Sequence, residues 1–167
     1  MKRLILLAAL CAAYPALADR DGNVLKARLL GNNEVPAVST AAHGDLQVRL
    51  ARDGTSIEYE LNFSGLQGQV RQAHIHVAQR NVNGAIVLWL CGTATNPGPA
   101  GTQTCPQEGK VVGTLTQANL QPSATQQVTT LADVIEAIQD GVAYANVHTD
   151  LSPGGEIRGQ IGDRSRH

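Results

Sequence analysis

Aromatic side chains are scarce in this chain: one Phe, one Trp and three Tyr make up 3% of its 167 residues. That scarcity leaves little platform for stacking nucleic-acid bases. Neither sign of charge dominates, since 13 basic and 14 acidic side chains give a formal net charge of -1 without any basic run. The electrostatic footprint of a nucleic-acid binder is therefore missing. No stretch offers the roughly 18 consecutive apolar residues of a membrane-spanning helix. The chain also lacks a Gly-x-Ser-x-Gly elbow, a phosphate-binding loop and a His-Glu-x-x-His helix, which removes the common hydrolase and nucleotide-binding signatures. What remains is 43% hydrophobic, too apolar for disorder, and carries 17 Gly and 7 Pro, too much punctuation for a helical bundle.

Lys2 and Arg3 precede an apolar run from Leu4 to Ala13 and then Ala16-Leu17-Ala18, the three-part pattern of a secretory signal. Residues 1–18 are read as a signal peptide cleaved after Ala18, and residues 19–167 as a single soluble domain in the periplasm or outside the cell. Cys11 leaves with the signal. Cys91 and Cys105 remain, and an oxidising compartment favours a disulfide between them. It would close the loop Gly92 to Thr104, whose Asn96-Pro97-Gly98-Pro99-Ala100-Gly101 is turn-forming and has little else to hold it. The chain-entropy argument gives such a bridge about 3 kcal/mol. Two thiolate metal ligands are the competing use of this pair, which oxidation would remove.

The dominant period along the rest of the chain is two. In Gly44 to Ala51, Leu46, Val48 and Leu50 face one way and Asp45, Gln47 and Arg49 the other. Ser56 to Phe63 repeats this, with Asp53-Gly54 supplying hairpin chemistry between the two. Further strands are expected at Leu25 to Leu30, Val70 to Val77, Ala85 to Cys91, Lys110 to Thr116, Val142 to Thr149 and Glu156 to Ile161. About eight strands at this spacing predict an all-β antiparallel sandwich. One segment breaks the pattern: Leu131, Val134, Ile135 and Ile138 recur at helical spacing, with Thr130 to cap the start and Gly141 to end it. This predicts a short helix near residues 130–140, closing one end of the sandwich. Glu58 and Glu60 share a strand face, but Asn62 continues it, so a solvated edge explains them better than acid/base work.

Chemistry concentrates in His74-Ile75-His76, because residues two apart on a strand share a face and lie about 6.6 Å apart at the backbone. Both imidazoles could reach one ion. In Val142 to Thr149, Tyr144, Asn146 and His148 face opposite to Ala143, Ala145 and Val147. If the two strands are neighbours, His74, His76 and His148 converge into a three-nitrogen metal site, suited to copper first and zinc second. The plainer reading is a set of imidazoles bonded to backbone carbonyls or carboxylates at a sheet margin. His43, in a turn-like segment, is a weaker fourth ligand, and His167 at the terminus weaker still. Glu156 and Asp150 are read mainly as solvated carboxylates, with metal ligation or support of an imidazole as the alternative.

Four motifs resemble those of the chordin-type (CHRD) domain: Leu30-Gly31-Asn32-Asn33-Glu34-Val35-Pro36-Ala37-Val38, Ala73-His74-Ile75-His76, Tyr144-Ala145-Asn146-Val147-His148-Thr149, and Pro153-Gly154-Gly155-Glu156-Ile157-Arg158-Gly159-Gln160-Ile161. The resemblance spans about residues 25–162 and implies an immunoglobulin-like β-sandwich outside the cytoplasm, with His74, His76 and His148 among the signature positions. A fainter likeness to copper-zinc superoxide dismutase rests on His-x-His and the Gly-rich segment. Glu156 stands where that family would carry an arginine, so efficient dismutation does not follow. The functional expectation is an exported protein that binds a transition metal, copper favoured, through the strand histidines, and is not itself an enzyme. The alternatives are a metal-free module that pairs with an unknown protein partner or with itself as a homodimer, and a copper redox enzyme.

Overall fold

A computed structural model describes residues 24–162. The expected signal segment and His167 lie outside the described residues. The chain forms β1 (Val24–Leu30), β2 (His43–Leu50), β3 (Ser56–Ser64), β4 (Val70–Val77), β5 (Ala85–Cys91), β6 (Gly109–Thr116), α1 (Leu131–Gln139), β7 (Ala143–Thr149) and β8 (Ile157–Gln160). These match the expected elements nearly end for end. Alternation decides their faces. Leu46, Val48 and Leu50 of β2 stand opposite Leu61, Tyr59 and Ile57 of β3 in the antiparallel register, and all six are buried. On the other face Lys110 pairs with Glu60 at 2.7 Å and Arg49 with Glu58 at 3.6 Å. These carboxylates are solvated ion-pair partners of small energetic weight.

The strands make one eight-stranded sheet in the order β5-β4-β7-β8-β1-β2-β3-β6, with every neighbouring pair antiparallel. Its two halves are joined along β1 and β8 at a single paired position, Leu30 with Arg158. So thin a junction lets the sheet fold on itself, and Leu29, Leu61, Ile75, Leu88, Val147 and Ile157, drawn from both halves, share one core at 0% exposure. The result is the expected all-β, sandwich-like fold, nearly closed into a barrel. On the open side β5 and β6 approach each other, and Tyr59 Oη on β3 donates to the carbonyl of Leu90 on β5 at 2.6 Å.

The helix starts where the sequence says it should. Asp133 N–H donates to Thr130 Oγ1 at 3.2 Å and Thr130 N–H donates back to Asp133 Oδ2 at 2.8 Å, a reciprocal cap. Its stripe of Leu131, Val134, Ile135 and Ile138 is buried.

Cys91 and Cys105 form the expected disulfide. The enclosed loop has more support than its composition suggests. Gly92 N–H donates to the Gln103 carbonyl at 2.9 Å, and Cys105 N–H donates to the Gly92 carbonyl at 2.7 Å. Gly98 sits against the Trp89 ring, where a Cβ would lie 2.5 Å from Cε3. With native-state bonds sharing the load, replacing both cysteines by Ala is expected to lower stability by about 2–3 kcal/mol, the lower part of the range for such bridges. Urea unfolding of oxidised protein against the double variant measures this; equal midpoints would show that the bridge adds nothing.

Candidate metal centre

β4, β7 and β8 lie side by side, which settles the neighbour relation on which the histidine argument depends: His74 stands opposite Asn146, and His76 opposite Tyr144. Ala73, Ile75, Ala143, Ala145, Val147 and Ile157 face the core. The opposite face carries His74, His76, Tyr144, Asn146, His148, Arg158 and Gln160, and none of these is more than 7% exposed. A face that alternation would hand to solvent is therefore buried, which needs polar partners throughout.

Loops supply the cover. Arg158 reaches the segment after β4, donating to Asn83 Oδ1 at 3.0 Å and to the Val82 carbonyl at 2.7 Å. Asn83 in turn donates to the Val35 carbonyl at 3.0 Å, tying this loop to the one after β1. The Arg158 guanidinium lies 3.4 Å from the centre of the Tyr144 ring. Tyr144 stacks on His76 with ring centroids 4.6 Å apart and planes 4° from parallel. This three-layer pile holds the His76 ring in place. Trp89 meets His74 edge-on at 4.3 Å and covers the other side.

Two of the three imidazoles have their protons placed by the backbone. His76 Nδ1 lies 3.0 Å from the Gly84 carbonyl and His148 Nδ1 lies 3.0 Å from the Pro153 carbonyl. A carbonyl only accepts, so each Nδ1 carries the hydrogen and each Nε2 of the neutral ring presents a lone pair. Both lone pairs point at one atom, Asn146 Oδ1, 3.0 Å from His76 Nε2 and 2.9 Å from His148 Nε2. His74 Nδ1 is 3.1 Å from His148 Nε2, while His74 Nε2 is buried with no hydrogen-bond partner. One ligating nitrogen from each of the three rings lies within 4.8 Å of the others.

The rings are kept neutral by their surroundings. Burial pulls His74 down to about 2, with the neighbouring His148 and His76 adding to the effect, and burial pulls His76 down to about 4. His148 is lowered for the same reason, against the stabilising bond from Pro153. Neutral imidazoles are the ligating form. In the metal-free cluster His74 Nδ1–H can donate to His148 Nε2, but Asn146 Oδ1 still faces two nitrogen lone pairs with no donor of its own, a repulsion that a cation relieves. The donor set therefore fits a transition-metal ion.

Beside the cluster lies Glu34, 5% exposed, from the loop after β1. Burial pushes its carboxyl up to about 7, although Arg158 pulls the other way. Gly155 makes room for it: the backbone there has φ +126°, and a Cβ would lie 2.7 Å from Asn146 Nδ2 and collide with the Glu34 carboxylate.

The remaining candidates fall elsewhere. His43 is exposed at the far side of the sheet, with Nε2 3.3 Å from Ser64 Oγ, and is not part of the cluster. Asp150 is exposed and accepts from Gln69 N–H at 2.7 Å. Glu156 corrects the expectation of a solvated carboxylate. It is 0% exposed and accepts from Thr40 Oγ1 at 3.0 Å, Gln67 N–H at 2.7 Å, Gly68 N–H at 3.4 Å and Thr149 Oγ1 at 2.9 Å. It fastens three segments together and faces no imidazole. An acidic group so enclosed neither steers nor repels a diffusing anion.

Fold and site together define an all-β sandwich domain with a buried three-imidazole cluster. The family model of the CHRD domain matches residues 25–161, and the chain belongs to that family. No curated protein and no solved structure gives a match. Each of the four motifs noted in the sequence contributes to the cluster or its cover: Glu34 from the first, His74 and His76 from the second, Tyr144, Asn146 and His148 from the third, Gly155 and Arg158 from the fourth. Sequence reasoning picked out the histidines but not Glu34, Asn146, Arg158 or Trp89. The signal for Asn146 was present, since it shares a strand face with His148. Glu34 comes from a loop whose path no periodicity reveals.

Proposed function

We propose that this chain is an exported CHRD-domain protein whose His74, His76 and His148 hold a transition-metal ion, copper in preference to zinc. The observation that carries the reading is the fixing of His76 and His148 through their Nδ1 hydrogens, which aims both Nε2 lone pairs at one place. A copper or zinc ion accepts such a nitrogen-rich set. Export is supported by the Lys2-Arg3 start with its apolar run and Ala-x-Ala ending, and by a disulfide of the kind that persists in oxidising compartments. Sequestration or delivery of the ion suits a buried site better than catalysis does.

The test is a copper titration of the purified protein with elemental analysis, alongside the His74→Ala/His76→Ala variant. Stoichiometric uptake by the wild type and its loss in the variant are expected. A wild type that takes up no more metal than the variant ends the proposal. In that case the protein-partner or homodimer reading takes precedence, and sedimentation in the presence and absence of metal examines it directly.

A further inference from the structure

We infer that Asn146 is the fourth donor of this centre, so that three imidazole nitrogens and one amide oxygen form a closed sphere for a divalent ion. The inference rests on the metal-binding reading above and adds to it the donor set, and with that the kind of ion held.

Hydrogen-bond accounting around the amide carries the argument. On one side of Asn146 are the lone pairs of His76 Nε2 and His148 Nε2, at 3.0 and 2.9 Å from Oδ1. On the other side are the Gly154 carbonyl, 3.5 Å from Nδ2, and the buried, otherwise unpartnered Oε1 of Glu34. With Glu34 ionised, both sides offer acceptors. An amide has donors for one of them only. Turning Nδ2 toward the histidines would satisfy the two rings but leave Oδ1 facing a carbonyl and a carboxyl. With a cation among the rings, Oδ1 and both Nε2 atoms coordinate it and Nδ2 serves Gly154 and Glu34, so all these groups find partners.

Spacing agrees with this assignment. An ion with bonds of 2.0–2.1 Å to tetrahedral donors sets those donors about 3.3 Å apart. The separations from Asn146 Oδ1 to His148 Nε2, from Asn146 Oδ1 to His76 Nε2, and from His74 Nδ1 to His148 Nε2 are 2.9, 3.0 and 3.1 Å. These three separations need widening by a few tenths of an ångström, while the histidine nitrogens as a set, within 4.8 Å of one another, draw together around the ion. Glu34 acts here as a positioning residue that keeps the amide nitrogen turned away from the rings.

Two chemical consequences follow. Four protein donors leave no open coordination position for a substrate, the mark of a holding site rather than a reactive one. An amide oxygen is a hard donor, so the set favours zinc(II) or copper(II) over copper(I), which selects soft sulfur ligands.

Cobalt(II) serves as a coloured probe, with zinc(II) competition to rank affinities in the full-length protein. Wild type should show the strong visible bands of four-coordinate cobalt. Asn146→Leu should bind about 10- to 100-fold more weakly, with weakened bands as water enters the sphere. Asn146→Asp, which keeps an oxygen, should retain the affinity with shifted bands. Wild-type affinity and bands in Asn146→Leu would overturn the assignment of Asn146 and leave metal binding intact. Failure of the wild type to bind either ion would instead remove the metal reading itself. Should the Leu variant not fold by circular dichroism, Asn146→Asp decides, since bands identical to wild type would show that residue 146 does not touch the ion.

Discussion

Acidifying the metal-free protein from about pH 7 to about pH 4 is expected to destabilise it, and a Glu34→Gln variant is expected to lose far more than the wild type. The reason is a pair of opposed titrations in one buried face. His74 and His76 are held down at about 2 and about 4 by burial, whereas in the unfolded chain they protonate at their ordinary value of 6.5. Between 6.5 and 4 the unfolded state gains protons that the folded state refuses, so the stability present above 6.5 drains away as the pH falls. Over that span each ring contributes about 3 kcal/mol, since one pKa unit corresponds to about 1.4 kcal/mol.

Glu34 works in the opposite direction. Its folded value of about 7 lies above its ordinary 4.5, so the folded state binds a proton first as the pH drops and regains about 3 kcal/mol between 7 and 4.5. His148, also lowered by burial, adds to the loss in both proteins, so wild type should lose at least on the order of 3 kcal/mol and Glu34→Gln about 3 kcal/mol more than wild type. Urea unfolding at the two pH values measures both. Parallel losses in the two proteins would contradict the role given to Glu34.

Glu156→Ala is the substitution expected to cost most away from the histidines. The carboxylate satisfies two backbone N–H groups and two hydroxyls from the loop before β2, the loop between β3 and β4, and β7. Removing it strands these donors in a fully buried place and unties the loops from β8. Unsatisfied buried donors cost about 1–3 kcal/mol each when they cannot reach water, and partial relaxation brings the sum to about 3–5 kcal/mol. Asp150→Ala is the contrast, since that exposed side chain holds one backbone N–H and should cost about 1 kcal/mol or less. Similar urea midpoints for the two variants would show that the Glu156 clamp adds nothing special.

How far the sequence carries can be read from particular residues. Leu46, Val48 and Leu50 announce a strand and its inner face because a period of two is a local property of the chain. Leu131, Val134, Ile135 and Ile138 with Thr130 announce the helix for the same reason. His74 and His76 fall on one face by that rule, as do Asn146 and His148. Cys91 and Cys105 could be paired because few cysteines leave few choices.

Local pattern alone reads the outward face of β4, β7 and β8 as solvent-facing, and there it gives the wrong environment. Glu156 looks like a surface carboxylate until Thr40, Gln67, Gly68 and Thr149 close around it from remote parts of the chain. Glu34 and Arg158, 5% and 2% exposed, are buried near enough to influence each other's charge although they lie far apart in the chain.

The amino-acid order by itself determined which segments are extended, which side of each is apolar, and which side chains could share an ion. Tertiary structure alone decided that β4 lies beside β7, that loops bury the polar face, and that the imidazole lone pairs meet at Asn146. Strand identity comes from contacts within a few residues, whereas burial and tautomer are set by carbonyls, rings and carboxylates brought in from far along the chain.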